Sequence, residues 1–179
     1  MANPIPMPHP GPLLVEKSQG RVNVDARELS VEREATELDR SVVAMLTSGT
    51  TAEPDVQSKG ILDLVRSGLP FVALENLVQA VGAPQGEIAR VVGMPATTLG
   101  RRRRSGRLTP TESDHVVRVA RLAALARELM AGDSNAASDW MTTPHRLLGD
   151  ETPLCHASTE AGGREVEQLI GQLLHGVFS

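Results

Sequence analysis

The stretch PQGEIARVVGMPATTLGRRRRSGR, residues 84–107, decides the fold. It predicts two short helices joined by a tight turn. Pro84 and Pro95 each suit the first turn of a helix, where the missing proline N–H would have no partner. Gly93 tolerates the positive φ with which the first helix must end, and small Ala89 lets two crossing backbones approach closely. The stretch therefore predicts a helix-turn-helix.

The second of these helices carries four consecutive arginines, which suit the major groove of DNA. Arginine binds phosphates and guanine edges through paired donors, and the second helix of a helix-turn-helix places such side chains in the groove. We expect Thr97, Arg101 and Arg104 to face bases or phosphates. The candidate DNA-binding residues are Thr97, Thr98, Arg101, Arg102, Arg103, Arg104 and Arg107, of which Arg102, Arg103 and Arg107 supply mostly charge toward phosphates. The alternative is that the arginines form a solvated charged face on an ordinary helical hairpin.

Composition limits the class of protein. The 179 residues suffice for one medium domain with an arm or for two small domains, and the hydrophobic content of 40% supports a core. Aromatic residues are rare and alanine and leucine abundant, which favours helices over sheet. The net charge of −4 excludes a uniformly basic nucleic-acid coat protein, but a local basic face is enough for DNA docking. The single cysteine allows no intrachain disulfide. With neither a signal peptide nor a membrane span in the pattern, we expect a cytoplasmic protein.

Hydrophobic periodicity predicts three helices before the motif. Residues 30–46, with Ser30 as the capping residue, have apolar positions at helical spacing. The same pattern recurs in residues 61–66 and 71–81. The stretches expected to be extended, disordered or linking are residues 1–12 and 50–59.

Helical patterns continue after the motif. Thr109, Pro110 and Glu112 have the spacing of a capping box at the start of a long helix, which Gly132 can end. The arginines of this helix, Arg118, Arg121 and Arg127, are expected on a solvated face. Shorter helical segments are predicted around Trp140 and Leu154, and a final helix begins after Thr159 and ends before Gly176. No segment alternates with period two, so the predicted fold class is all-α. The predicted domains are an N-terminal arm (1–59), a helix-turn-helix domain (60–131) and a C-terminal domain (132–179).

Three segments carry a resemblance to a known family. They are EIARVVGMPATTLGRRRRSGRLTPTESD (87–114), TPHRLLGDETPL (143–154) shortly after Trp140, and REVEQLIGQLLHGVFS (164–179). Together they make residues 68–179 resemble the antitoxins grouped as Xre/MbcA/ParS, which join an Xre-like helix-turn-helix to a C-terminal toxin-binding domain. The sequence departs from the family at Cys155–His156, where an apolar residue is common.

The resemblance implies a type II toxin–antitoxin system. The expected partners are a cognate RES-domain toxin, which consumes NAD or transfers ADP-ribose from it, and the operator DNA that the antitoxin binds to repress its own transcription. The expected assembly is a homodimer or a larger hetero-oligomer with the toxin, and no membrane is involved.

Within the family the C-terminal region covers the active site of the toxin. The toxin-binding candidates carried over are Arg164, Gln168, Leu174, His175, Gly176, Val177, Phe178 and Ser179. A tail aromatic such as Phe178 is also a common interface anchor, although it could instead fold back onto its own domain.

Other chemistries have little support in the sequence. The five histidines lack metal-ligand spacing, and the adjacent Cys155 and His156 would diverge from one another on a helix. No residue pattern orients a base toward the cysteine. We therefore expect no metal, no cofactor and no enzymatic activity. Two alternatives remain open: a stand-alone transcriptional regulator that senses a ligand or recruits a protein through its C-terminal helices, and an interaction protein whose arginines never meet DNA.

Overall fold

The structure is a computed structural model, and it describes residues 26–48 and 60–176, with side chains from residue 37 onward. Its helices are α1 (Ala26–Thr47), α2 (Ile61–Ser67), α3 (Val72–Val81), α4 (Gln85–Val91), α5 (Ala96–Ser105), α6 (Pro110–Leu129), α7 (Ser134–Thr142), α8 (Pro153–His156) and α9 (Glu160–His175), with a 3₁₀ turn at Arg146–Leu148. Within these ranges the remaining structure is turns and two isolated β-bridges. The all-α prediction is confirmed, with a helix-turn-helix followed by a helical C-terminal domain.

Helix α6 is the centre of the fold. Its start is the predicted capping box: the Thr109 hydroxyl accepts from the Glu112 N–H, and the Glu112 carboxylate accepts from the Thr109 N–H. Most valine and alanine side chains along α6 are buried. The helices that pack against α6 are α1, α2, α3, α7 and α9. The helix ends at Leu129, and Ala131, not the predicted Gly132, is the first residue with positive φ, at 52°. Gly132 follows it with φ +91° and donates its N–H to the Arg127 carbonyl.

Two segments flanking the helix-turn-helix are joined to each other and to α6. The Leu108 N–H donates to the Leu69 carbonyl at 2.8 Å, and the Phe71 N–H donates to the Gly106 carbonyl at 2.9 Å. Ser113 is fully buried and adds a third link, since its hydroxyl accepts from the Leu69 N–H at 2.8 Å. The end of α5 is therefore fixed to the chain that precedes α3.

Two predictions about the N-terminal region are affected. Helix α1 spans Ala26–Thr47, so Ser30 lies inside the helix and the expectation that it caps the start was wrong. The C-terminal half of α1 enters the core through Val42 and Leu46. The predictions for residues 1–12 and 50–59 fall outside the described residues. No helix in the described ranges is long and apolar enough to cross a membrane.

Candidate nucleic-acid interface and partner surface

The α4–α5 turn is built from the residues that the sequence singled out. Gly93 has φ +71°, which places it in the left-handed region where glycine is favoured. The Met94 N–H then donates to the Ala89 carbonyl at 2.7 Å and closes the turn. Ala89, Val92 and Met94 are buried, so the turn is fixed against the core. Pro95 is the N-cap residue of α5, with ψ 148°, and so lies one position before the first turn where the sequence placed it.

Helix α5 lies on the surface and has no fully buried residue. Leu99 is half-buried and packs against the core, while Thr98 is also half-buried. The exposed residues of the helix are Ala96, Thr97, Gly100, Arg101, Arg103, Arg104 and Ser105. They include Thr97, Arg101 and Arg104, the three residues that the sequence predicts to face DNA.

The four-arginine run does not point in one direction. Arg102 turns inward, and its Nε lies 2.9 and 2.8 Å from the two carboxylate oxygens of Glu112. The side chains of this pair are only 19% and 14% exposed. Arg103 has different partners: its guanidinium lies 5.4 Å from the centre of the Phe71 ring and 3.3 Å from the Glu75 carboxylate.

The other candidate arginines, Arg101, Arg104 and Arg107, also differ in whether their side chains have a partner. Arg107 donates to the backbone carbonyls of Ser67 and Gly68, at 3.2 and 2.9 Å. Arg101 and Arg104 are exposed, and neither has an acidic partner among the described residues. The only hydrogen bond found for either side chain there runs from Arg104 Nε to the Gly100 carbonyl of its own helix, at 3.3 Å. A solvated arginine with no acidic partner can bind a phosphate or a guanine edge without first breaking an ion pair.

Glu112 serves the cap of α6 and the ion pair to α5 at once. Burial alone would raise the pKa of Glu112, but the hydrogen bonds from the Thr109 N–H and from Arg102 outweigh it and hold the pKa below its ordinary value. The carboxylate is therefore charged at neutral pH and holds Arg102 in place. The capping role of Glu112 was readable from its spacing to Thr109, whereas its pairing with Arg102 was not.

The C-terminal candidates lie along α9. Arg164, Gln168 and His175 are exposed and, at spacings of four and seven residues, share one side of the helix. Leu174 is half-buried against the core, and with His175 it lines a groove bounded by α1 and α6. Gly176 has φ +65° and turns the chain after the helix. The remaining candidates, Val177, Phe178 and Ser179, lie outside the described residues.

Helix α9 is seated by two glycines that allow close approach. A Cβ on Gly162 would lie 1.9 Å from the His156 carbonyl oxygen, and one on Gly163 would lie 3.2 Å from the Cδ of Arg118. The Arg118 side chain is 17% exposed and donates to Glu160 at 3.2 Å, with its Nε buried and unpaired within the described structure. Arg118 therefore lies between α6 and α9, and its expected place on a solvated face was wrong.

Two further contacts tie the C-terminal domain together and to the helix-turn-helix. The His156 ring nitrogens lie 2.8 Å from Glu151 and 2.7 Å from Glu165, so both must donate and the ring is favoured as a cation. Hydrogen bonding to Glu165, and then to Glu151, raises the pKa of His156. Cys155 contacts α4, with its Sγ 3.4 Å from Arg90 Nη2. Among the described residues, no His, Cys, Asp and Glu side chains group to hold a metal ion.

The geometry defines a class of protein: a helix-turn-helix module with an arginine-bearing recognition helix, joined through a shared central helix to a small helical domain. Residues 60–121 match the family model of the antitoxin Xre-like helix-turn-helix domain, and residues 125–176 match that of the antitoxin Xre/MbcA/ParS C-terminal toxin-binding domain. The chain belongs to the Xre antitoxin family.

Individual relatives agree with the family models. The antitoxin Xre of Yersinia enterocolitica is 38% identical over 120 residues, which are 66% of this chain and 81% of that protein. The antitoxin Xre of Photorhabdus laumondii is 30% identical over 131 residues, or 73% of this chain and 88% of the relative. A third relative, the antitoxin Xre of Pseudomonas putida, is 32% identical over 84 residues, covering 46% and 52% of the two chains.

Proposed function

We propose that this antitoxin neutralises a RES-domain toxin through its C-terminal region and binds its own operator through α5 to repress transcription. The observation that carries the DNA-binding part is the outward pair Arg101 and Arg104 on a recognition helix that is otherwise fixed to the body of the protein. The part concerning the toxin rests on the match of residues 125–176 to a toxin-binding domain.

The DNA interface that we propose is narrower than the arginine run. Arg101 and Arg104 face bases or phosphates, with Thr97 and Thr98 at the start of the same helix. Arg103 and Arg107 lie beside them, and their exposed guanidinium groups could add charge toward phosphates if their present partners are exchanged. Operators read by helix-turn-helix proteins are commonly palindromic, so two copies of the chain would occupy one site, alone or joined by the toxin.

Operator binding is tested by replacing both outward arginines with glutamine. At matched salt the double variant should bind the duplex upstream of its own gene at least about tenfold more weakly, because each arginine contact to a base edge or phosphate contributes about 1–3 kcal/mol. The slope of log K against log salt should also become shallower by about 0.9 for each phosphate contact removed.

A control variant is available at Arg127, near the C-terminal end of α6 and far from α5. Arg127 is exposed and lies seventeen residues after Pro110 along the chain, about 25 Å away along the helix axis. Arg127→Gln removes one positive charge, as Arg101→Gln or Arg104→Gln alone does, and should leave operator binding unaltered. A loss in the control equal to that of either single variant would show that only net charge matters, which contradicts the proposed interface.

The toxin interface that we propose follows the exposed side of α9 toward the end of the chain. Arg164, Gln168 and His175 provide polar contacts, Leu174 and Gly176 lie at the end of the helix, and Val177, Phe178 and Ser179 continue beyond it. The toxin would be blocked because this region covers its active site, without any reaction by the antitoxin itself.

Co-expression with the adjacent toxin gene tests this part. Deleting residues 177–179 should abolish rescue of growth and allow cellular NAD to fall or ADP-ribosylated protein to accumulate, while operator binding by the isolated antitoxin is retained. As a control, Leu62→Ser removes an apolar side chain that is 57% exposed on α2, and it should keep full rescue. Full rescue by the deletion variant would refute the role of the tail.

The alternative function is that of a stand-alone transcriptional regulator. It predicts operator binding with no toxin gene beside the antitoxin gene and no protein that co-purifies with α9. The neighbouring reading frame therefore separates the two functions at little cost.

A further inference from the structure

We infer that Arg102 and Glu112 form a positioning pair that orients α5 on DNA, so that Arg102 supports operator binding from inside the protein without contacting phosphate. This inference rests on the proposed function, because it concerns the helix that is proposed to read the operator. Arg102 is then no longer a residue that contacts DNA. Glu112, which lies outside the recognition helix, becomes a residue that supports DNA binding indirectly.

The pair connects the exposed helix α5 to the central, buried helix α6. Both carboxylate oxygens of Glu112 accept from Arg102 Nε, and one of them also accepts from the Thr109 N–H at 2.8 Å. Glu112 is itself held by the capping box of α6, and α6 is packed by five other helices. A charged group fixed on such a helix is a rigid anchor for its partner.

Helix α5 is fixed at its two ends by backbone hydrogen bonds, but it has few attachments between them. It contains no fully buried residue, and Leu99 reaches the core only in part. Arg103 contacts Phe71 and Glu75, but its side chain is 59% exposed and that of Glu75 is 44% exposed. Exposed ion pairs of this kind contribute little because solvent screens them. The less exposed Arg102–Glu112 pair is therefore the main polar restraint on the rotation of α5 about its own axis.

A direct contact between Arg102 and phosphate would be unfavourable. The Arg102 side chain is only 19% exposed, so reaching a phosphate would draw its guanidinium away from Glu112, whose side chain is 14% exposed and would lose its counter-charge. A partly buried charge without its partner is strongly destabilising, and a DNA phosphate nearby would add repulsion. Arg101 and Arg104 face no such cost, since neither has an acidic partner among the residues with described side chains.

Glu112→Gln tests the inference, because two explanations predict opposite signs. Glutamine keeps a carbonyl oxygen that can accept from the Thr109 N–H, so the cap survives while the ion pair is lost. If charge alone governs affinity, removing a carboxylate near the DNA face tightens operator binding. If the pair positions α5, binding weakens by about tenfold, with the salt slope unchanged within about 0.3. Unchanged or tighter binding would overturn the inference.

Arg102→Gln and Arg101→Gln make a matched pair of neighbours with the same change in charge. Arg101→Gln should make the salt slope shallower by about 0.9, whereas Arg102→Gln should weaken binding and keep the slope. The double variant of Arg102 and Glu112 should lose no more affinity than either single variant, because both break the same contact. A shallower slope for Arg102→Gln would show that Arg102 touches phosphate and would overturn the inference.

The same titrations separate this inference from the proposed function. If the unaltered protein binds the upstream duplex no better than an unrelated duplex of the same length, operator binding itself fails. If it binds specifically but Arg102→Gln makes the salt slope shallower, only the positioning pair fails. Thermal unfolding of each variant shows whether the fold is retained, and Arg102→Lys, which keeps the charge beside Glu112, should recover part of the affinity in a folded protein.

Discussion

Replacing Gly162 by alanine should destabilise the C-terminal domain, whereas the same replacement at Gly171 in the same helix should stabilise it. Gly162 is buried, and a Cβ there would lie 1.9 Å from the backbone carbonyl oxygen of His156. At Gly171 a Cβ would meet no side chain and no other segment of the described structure within 4 Å. Both glycines have helical φ, so the two changes differ mainly in what the new methyl group meets.

The size of the effect follows from two opposing contributions. Alanine is favoured over glycine inside a helix by about 1 kcal/mol, and this gain applies at both positions. At Gly162 the methyl group must move more than about 1 Å to reach an ordinary contact, and overpacking of this kind costs about 1–3 kcal/mol or more when the neighbour is backbone. The Thr159 hydroxyl, which caps α9 by accepting from the Gly162 N–H at 3.0 Å, would be displaced as well.

The net expectation is a loss of about 1–2 kcal/mol for Gly162→Ala, which lowers Tm by about 2–8 °C in a chain of this size. Gly171→Ala should raise Tm by about 2–4 °C. Urea unfolding followed by circular dichroism, together with calorimetry, measures both. If the two alanines shift Tm in the same direction by the same amount, the close approach of α9 to the His156 carbonyl does not exist in solution and the reasoning is refuted.

Two further changes test other contacts. His156→Gln should flatten the pH dependence of the free energy of unfolding. Because the pKa of His156 is raised in the folded protein, its contribution to stability is complete below the ordinary histidine pKa and is lost as pH rises through the folded value. This contribution should be below about 1 kcal/mol, because both glutamates are exposed. Parallel unfolding curves of variant and parent between acidic and mildly alkaline pH would contradict this. Ser113→Ala should cost about 1–3 kcal/mol in urea unfolding, because the buried Leu69 N–H loses its acceptor. A loss below about 0.5 kcal/mol would show that the N–H finds another partner.

The helices were largely predictable because their boundaries are encoded by a few neighbouring residues. Thr109, Pro110 and Glu112 specify a helix start within four positions, and the structure has that start with both reciprocal hydrogen bonds. Gly93 and Gly176 mark helix ends through a backbone conformation that other residues rarely adopt. Such signals are local, so they do not depend on knowing the tertiary fold. Ser30 shows the limit: a residue suited to capping does not cap when the helix continues through it.

The partners of the arginines were not predictable, because the sequence does not show which side chains meet across the fold. Arg102 and Glu112 are ten residues apart on different helices, and their pairing depends on the turn between those helices. Arg118 looked solvated by helical periodicity, yet the absence of a side chain at Gly163 leaves room for it beneath α9. A run of arginines therefore predicts a basic surface correctly but does not assign each arginine to it.

The division of the chain also follows from the tertiary structure. The match to the helix-turn-helix family model ends at residue 121, and the match to the toxin-binding family model begins at residue 125, so both bounds lie inside α6. The domain boundary that the sequence predicts after residue 131 stays a prediction. A helix of 20 residues is about 30 Å long and is too rigid to act as a linker. Its first turn holds α5 through Glu112, and Arg118 in its first half packs beneath α9. The two modules therefore share one packed helix, which contacts α5 through Glu112 and α9 through Arg118.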